Sequence, residues 1–165
     1  MHAITVHQPY AWAIAQGGKD VENRAAPIGA QHIGTDIAIH AGRQLLPHGA
    51  QDPRIIAAAR RAVADGRART VMGLLDGSDL AFGAIIAVAR LVDCHPATDR
   101  RGRLCCPAWG EALHGVRQRP AHHLAWTDVR PLPTPVPCRG MQAVPWPLPP
   151  AAAATVIAQL NHTER

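Results

Sequence analysis

The sequence predicts an α+β domain in which about five or six short strands form a small, partly open mixed β-barrel with flanking helices. Three observations lead there. Apolar runs of strand character recur along the chain, first at 4–6 and longest at 82–94. Only two or three helical stretches separate them, with neither the regular alternation nor the Gly-x-Gly-x-x-Gly of a doubly wound sheet. The 165 residues are 47% hydrophobic, which suits one domain over 1–165 with a core that needs no metal or disulfide.

The elements follow in order. Residues 4–6 read as the first strand. Pro9 then starts a helix to Gln16, where its missing N–H costs nothing, and Gly17-Gly18 stops it. A short strand at 21–24 comes next, then one at 36–41 that ends at Gly42, with Ile37 and Ile39 on one face and His40 on the other. Asp52 and Pro53 open a helix over 53–64 whose apolar stripe is Ile55, Ile56, Ala59 and Val63. The run at 82–94 is apolar almost throughout, so both its faces are covered, as at the centre of a barrel. An Arg-, Gly- and Pro-rich insertion fills about 95–123, with a helical piece at 109–113. A strand over 123–129 precedes Pro131, Pro133, Pro135 and Pro137, which predict a rigid extended surface loop because each proline removes a donor. The segment 138–146 adds a last short strand near the first, and a helix over about 151–160 closes the chain.

The formal net charge is +5, and sixteen of the seventeen basic residues are Arg, the side chain suited to bidentate phosphate contacts. Residues 83–165 carry nine basic and five acidic groups, against eight and seven in 1–82. That skew is compatible with a nucleic-acid surface and equally with an arginine-rich composition. No run of about eighteen apolar residues exists, so no membrane span is expected. The first residues do not read as a secretory signal, which implies a cytoplasmic protein with reduced thiols at Cys94, Cys105, Cys106 and Cys138. Cys94, His95, one of Cys105 and Cys106, and Cys138 offer zinc-type ligands, but no Cys-x-x-Cys supports them, and neither a metal nor a cofactor is expected. Ser78 is the sole serine and has no neighbouring base, so serine hydrolysis is not expected.

His7-Gln8-Pro9-Tyr10-Ala11, Gly18-Lys19-Asp20-Val21-Glu22-Asn23-Arg24, Ile39-His40-Ala41-Gly42 and Gly83-Ala84-Ile85 occur in that order. Trp126, Pro131-Leu132-Pro133 and Pro137-Cys138-Arg139-Gly140-Met141-Gln142 follow them. Together these resemble the ASCH family of the PUA-like superfamily, along nearly the whole chain. The Gly-x-Lys-x-x-Glu-x-Arg and the late Arg-Gly-x-Gln elements are the most specific parts. The resemblance implies a small barrel related to RNA or nucleic-acid binding, with a cleft beside the helix after the first strand. It implies that Lys19, Glu22 and Arg24 line that cleft, with His7 and Gln8 at its base, His40 near it and Arg139 on its rim. Some relatives resemble amidohydrolases of an acylated cytidine that use a Lys, a Thr three residues later and a Glu on the central strand. Here Lys19 matches, Glu22 replaces the Thr, and 84–92 holds no Glu. Other relatives resemble ribonucleases.

The leading expectation is thus a module that binds RNA or a modified nucleotide in a cleft over Lys19, Glu22 and Arg24. The rivals are a small hydrolase of a modified pyrimidine nucleoside or RNA, with Lys19 and Glu22 as the catalytic pair, and a protein-interaction module presenting 131–137. Lys19, Glu22 and Arg24 also read as a plain ion-pair cluster. Arg24 and Arg139 are candidate donors to a phosphate or base edge; His7, Gln8 and His40 are candidate pocket groups. Trp12 is either a core anchor or a base-stacking platform. Arg100, Arg101, Arg103, Arg117 and Arg119, around Trp109, form either a phosphate-contact surface or a solvated loop. Oligomeric state is left open.

Overall fold

The computed structural model describes residues 1–115, 117–142 and 144–163. Its elements are β1 (His2–Gln8), α1 (Tyr10–Gln16), β2 (Val21–Arg24), β3 (Asp36–Leu45), α2 (Pro53–Ala64) and α3 (Val71–Asp76). After them come β4 (Ala84–Pro96), β5 (Leu113–His114), β6 (Arg119–Pro120), β7 (His122–Pro137), β8 (Trp146–Pro147) and α4 (Pro150–Thr163).

Six strands form one mixed sheet in the order β2-β7-β4-β3-β1-β8, with β1 and β3 parallel and the remaining pairs antiparallel. The α+β class and the strand number agree with the sequence; the barrel does not. β2 and β8 are the two edges and do not pair with each other, so the sheet stays open. The reason lies in β4. Its unbroken apolar run is covered on both faces, but by separate layers rather than by a sheet closing on itself. On one face Ile37, Ile39, Ala87, Ala89 and Leu91 pack with Ala11, Ile14 and Ala15 of α1. On the other, Ala38, Ile85 and Val88 pack with Trp146 of β8, Leu148 after it and Val156 of α4.

α1, β2 and α2 have the bounds their local signals dictate. Gly17 caps α1, and Gly18 takes the left-handed φ of +78° that turns the chain into β2. Asp52 accepts from Arg54 N at 2.9 Å as the α2 N-cap. The α2 core stripe is Ile55, Ala58, Ala59 and Ala62, while Ile56 and Val63 are only half-buried. The alanines let α2 approach Trp12 and Ala13 of α1 closely, which a stripe through Ile56 and Val63 would prevent.

Three other expectations are corrected. β3 runs through Gly42 to Leu45. The stretch 109–113 is a turn followed by β5, not a helix. The prolines at 131–137 lie within β7, where Pro131 and Pro137 are partnered by Ala87 and Ala84 of β4 and no β4 partner is found for 132–135. β2 pairs only with the other end of β7, so this stretch of β7 has a strand neighbour on the β4 side alone. Pro133 and Pro135 fall in the stretch with no ladder partner, where a missing donor forfeits no sheet hydrogen bond. A register shift sits opposite Ile86, and there the Thr134 N–H donates to Gln159 of α4 at 3.0 Å, while Gln159 Nε2 donates back to Thr134 O. None of the described helices is long and apolar enough to cross a membrane.

Candidate functional site: a basic cleft backed by a buried ion pair

A cleft of about 960 Å³ opens where β1, β3 and the segment after β7 meet. Thr5 and His7 of β1, Arg24 at the end of β2, His40, Gly42, Arg43 and Gln44 of β3, and Gly83 line it. Arg139, Gly140, Met141 and Gln142 complete the wall. Among the described residues the lining therefore holds three arginines, two imidazoles and no carboxylate.

Local folding puts them there. The Thr5 hydroxyl donates to Met141 O at 2.9 Å and accepts from the Trp146 indole at 3.2 Å, tying the 139–142 segment to β1. A bulge between Ile39 and His40 turns the His40 ring, whose Nε2 bonds Cys138 O at 3.0 Å and whose edge meets Trp146. Burial lowers the His40 pKa below the usual imidazole value, so the ring donates to that carbonyl as the neutral species at neutral pH. Gly140 is required: a methyl there would overlap His40 Cε1. Arg43 and Arg139 are exposed and in no ion pair among the described residues, so their guanidinium groups are available. Arg24 is half-committed, donating to Thr5 O at 2.6 Å and lying 3.6 Å from Glu22 Oε1.

Glu22 joins this wall to the rest of the motif. Its other oxygen pairs with Lys19 Nζ at 3.2 Å, so one carboxylate bridges Lys19 and Arg24. Lys19 itself is buried, with only 3% of its side chain exposed, and it contacts Val21 O. Desolvation pulls its pKa below the ordinary value, and the Glu22 charge opposes that. The insertion does the burying. Trp109 brings its ring to 5.9 Å from Lys19 Nζ and 5.5 Å from the Arg54 guanidinium. Asn23 holds it down, donating to Trp109 O at 3.1 Å and accepting from Glu111 N at 2.9 Å. Arg54 bonds Asp52 at 2.7 Å and Glu111 at 3.0 Å, and Tyr10 bonds Asp52 at 3.1 Å, locking α1, α2 and the insertion together.

Of the residues expected around one cleft, Arg24, His7, His40 and Arg139 meet there. Lys19 lies behind Arg24 and under Trp109, with Glu22 between Lys19 and Arg24, so both members of the expected catalytic pair are largely buried rather than on the cleft lining. Gln8 does not line the cleft: it accepts from Trp12 N at 2.9 Å and donates to Ala81 O at 2.8 Å, fixing the start of α1. Trp12 is buried with Val21, Ile55 and Trp109 in the core. Arg100, Arg101, Arg103, Arg117 and Arg119 are exposed on the insertion and away from the cleft lining, with Arg103 bound to Asp99 at 2.9 Å. Sequence reading missed Arg43, Gln44 and Thr5. Ending the strand at Gly42 hid the first two, and nothing marks Thr5 as a cleft residue.

An open mixed sheet with a basic cleft beside its parallel strand pair defines the class: a cleft-bearing α+β module. The ASCH domain model matches residues 4–117, well over half of the chain, and the chain belongs to the ASCH family. The crystal structure of the ASCH protein from Zymomonas mobilis is similar at 15% identity and a TM-score of 0.52, over 95% of this chain and 93% of that one. A mutant form from Zymomonas mobilis gives 17% identity and a TM-score of 0.50, over 95% and 96%. These likenesses concern the fold. No curated protein matches the chain.

Proposed function

We propose that this ASCH module binds RNA or a nucleotide-like ligand in the cleft of His7, Arg24, His40, Arg43 and Arg139, in a cytoplasmic setting. One observation carries the reading: three arginines delivered by three separate elements surround a hollow of about 960 Å³ whose lining, among the described residues, holds no acidic residue. Guanidinium forks match phosphate oxygens bidentately, and a wall without carboxylates leaves nothing to repel them. The imidazoles and Gln44 add donors and acceptors for a base edge or a 2′-hydroxyl. The exposed arginines 100, 101, 103, 117 and 119 would extend the contact along a backbone, Arg103 least because Asp99 already holds it.

The test is anisotropy of a labelled single-stranded RNA short enough to fill the cleft. Arg43→Ala and Arg139→Ala are each expected to weaken binding about tenfold, while Lys19→Met leaves it within about twofold. No binding by the wild type at micromolar protein, or binding by both arginine variants as tight as the wild type's, would overturn the reading.

A further inference from the structure

Outside the cleft, the insertion and the sheet bring three metal-type ligands together. His95 of β4 and His123 of β7 are directly opposed partners in the sheet, and their rings meet edge to face at 5.6 Å between centroids. Cys106 arrives from the insertion with its Sγ 3.5 Å from His95 Nε2. One ligand atom from each of the three lies within 4.8 Å of the others. A tetrahedral zinc ion with nitrogen and thiolate ligands needs separations of about 3.5 Å, so a small contraction completes the set.

The surroundings are those that orient ligands. Asp93 Oδ2 lies 2.9 Å from His95 Nδ1, which fixes the proton there and leaves the Nε2 lone pair facing Cys106. The Glu111 carbonyl accepts from His123 Nε2 at 3.2 Å, leaving Nδ1 as the lone-pair nitrogen. His123 is completely buried, and its Nδ1 has no hydrogen-bond partner among the described residues, an arrangement that is costly unless something binds it. Gly110 leaves the room, since a Cβ there would overlap the His123 ring. The other cysteines are turned to other partners, Cys105 with its Sγ 3.6 Å from Pro96 O. Cys94 is the strand neighbour of His95 and points to the opposite face, with its sulfur against Ile28 N at 3.4 Å. Cys138 bonds Gly83 O, at the opposite end of β4 from His95.

We propose that His95, Cys106 and His123 bind one zinc-class divalent ion, with a water in the fourth position, and that the ion staples the insertion to the sheet. Binding displaces the Cys106 thiol proton to solvent and forms one metal–sulfur and two metal–nitrogen bonds, with no redox step. The sequence offered His95 and Cys106 among its zinc-type ligands but set them with Cys94 and Cys138, because His123 is adjacent to His95 only through the pairing of β4 with β7.

The test uses the full chain, stripped of metal and kept reduced with a phosphine. Titration with Zn²⁺ is expected to bind one equivalent and raise the melting temperature. Co²⁺ is expected to give a thiolate-to-cobalt charge-transfer band. Cys106→Ser should abolish that band and weaken Zn²⁺ binding at least tenfold; His95→Gln should weaken it equally; Cys138→Ser should change neither. Absence of stoichiometric Zn²⁺ binding by the wild type overturns the proposal. So does binding that survives both Cys106→Ser and His95→Gln, which would mark an adventitious ion.

Discussion

Replacing Glu22 with Gln should reveal how the buried motif is held. The substitution preserves shape and removes the one carboxylate that Lys19 faces at 3.2 Å and Arg24 at 3.6 Å. Lys19 has no access to water to make up the loss, since 3% of its side chain is exposed. Breaking a buried pair from one side costs about 3–5 kcal/mol, and the lower end applies because Glu22 sits near the cleft wall. For a chain of this length, about 3 kcal/mol corresponds to a melting point lower by about 6–12 °C. Lys19→Met should cost less, about 1–2 kcal/mol, because Glu22 keeps Arg24. The double variant Lys19→Met/Glu22→Gln should be more stable than Glu22→Gln alone, since no charge is then left buried without a partner. The pH profile carries a second signature. The folded pKa of Lys19 lies below its ordinary 10.5, chiefly through burial. Below 10.5 the unfolded chain therefore binds the proton that the folded chain resists, so stability rises with pH between the depressed value and 10.5. It is lost as pH falls through that depressed value. Without Glu22 the folded value drops further, and the rising limb should begin at lower pH. The assay is urea denaturation followed by circular dichroism from neutral to alkaline pH. A Glu22→Gln variant within about 1 kcal/mol of wild type, with an unshifted limb, would refute the reasoning.

Three further outcomes follow from the site. Asn23→Ala strips the clamp from Trp109 O and Glu111 N, so a loss of about 1–3 kcal/mol and faster tryptic cleavage at the arginines of 100–119 are expected in limited proteolysis. Gly140→Ala drives a methyl into His40, so about 1–3 kcal/mol of stability and most RNA affinity should be lost together, as read by denaturation and anisotropy. The folded pKa of His40 is depressed by burial below 6.5, so its contribution to stability is full above that pH and is lost as pH falls through the depressed value. His40→Gln should flatten that acid limb in urea denaturation.

Much of this architecture is written in local chemistry. Gly17-Gly18 and the Asp52-Pro53 pair set the bounds of α1 and α2 because caps and backbone freedom act within a turn or two. What escaped depends on distant neighbours. The apolar run of β4 indicates two covered faces without indicating whether a sheet or helices cover them; here α1 and α4 do. The prolines of β7 exclude a central strand, yet a stretch with one strand neighbour accepts them. Lys19, Glu22 and Arg24 were legible as a cluster, but not that Trp109, some ninety residues on, roofs Lys19 and leaves Arg24 at the cleft. Arg43 joined the site through a strand that continues past Gly42. His123 meets His95 through a register no local pattern encodes.

The salt dependence of RNA binding bears most directly on the basic cleft. Log affinity against log salt should fall linearly, and Arg43→Ala and Arg139→Ala should each flatten the slope by about 0.7, additively in the double variant. An unchanged slope in the double variant would place the phosphates elsewhere and contradict the cleft as the binding surface.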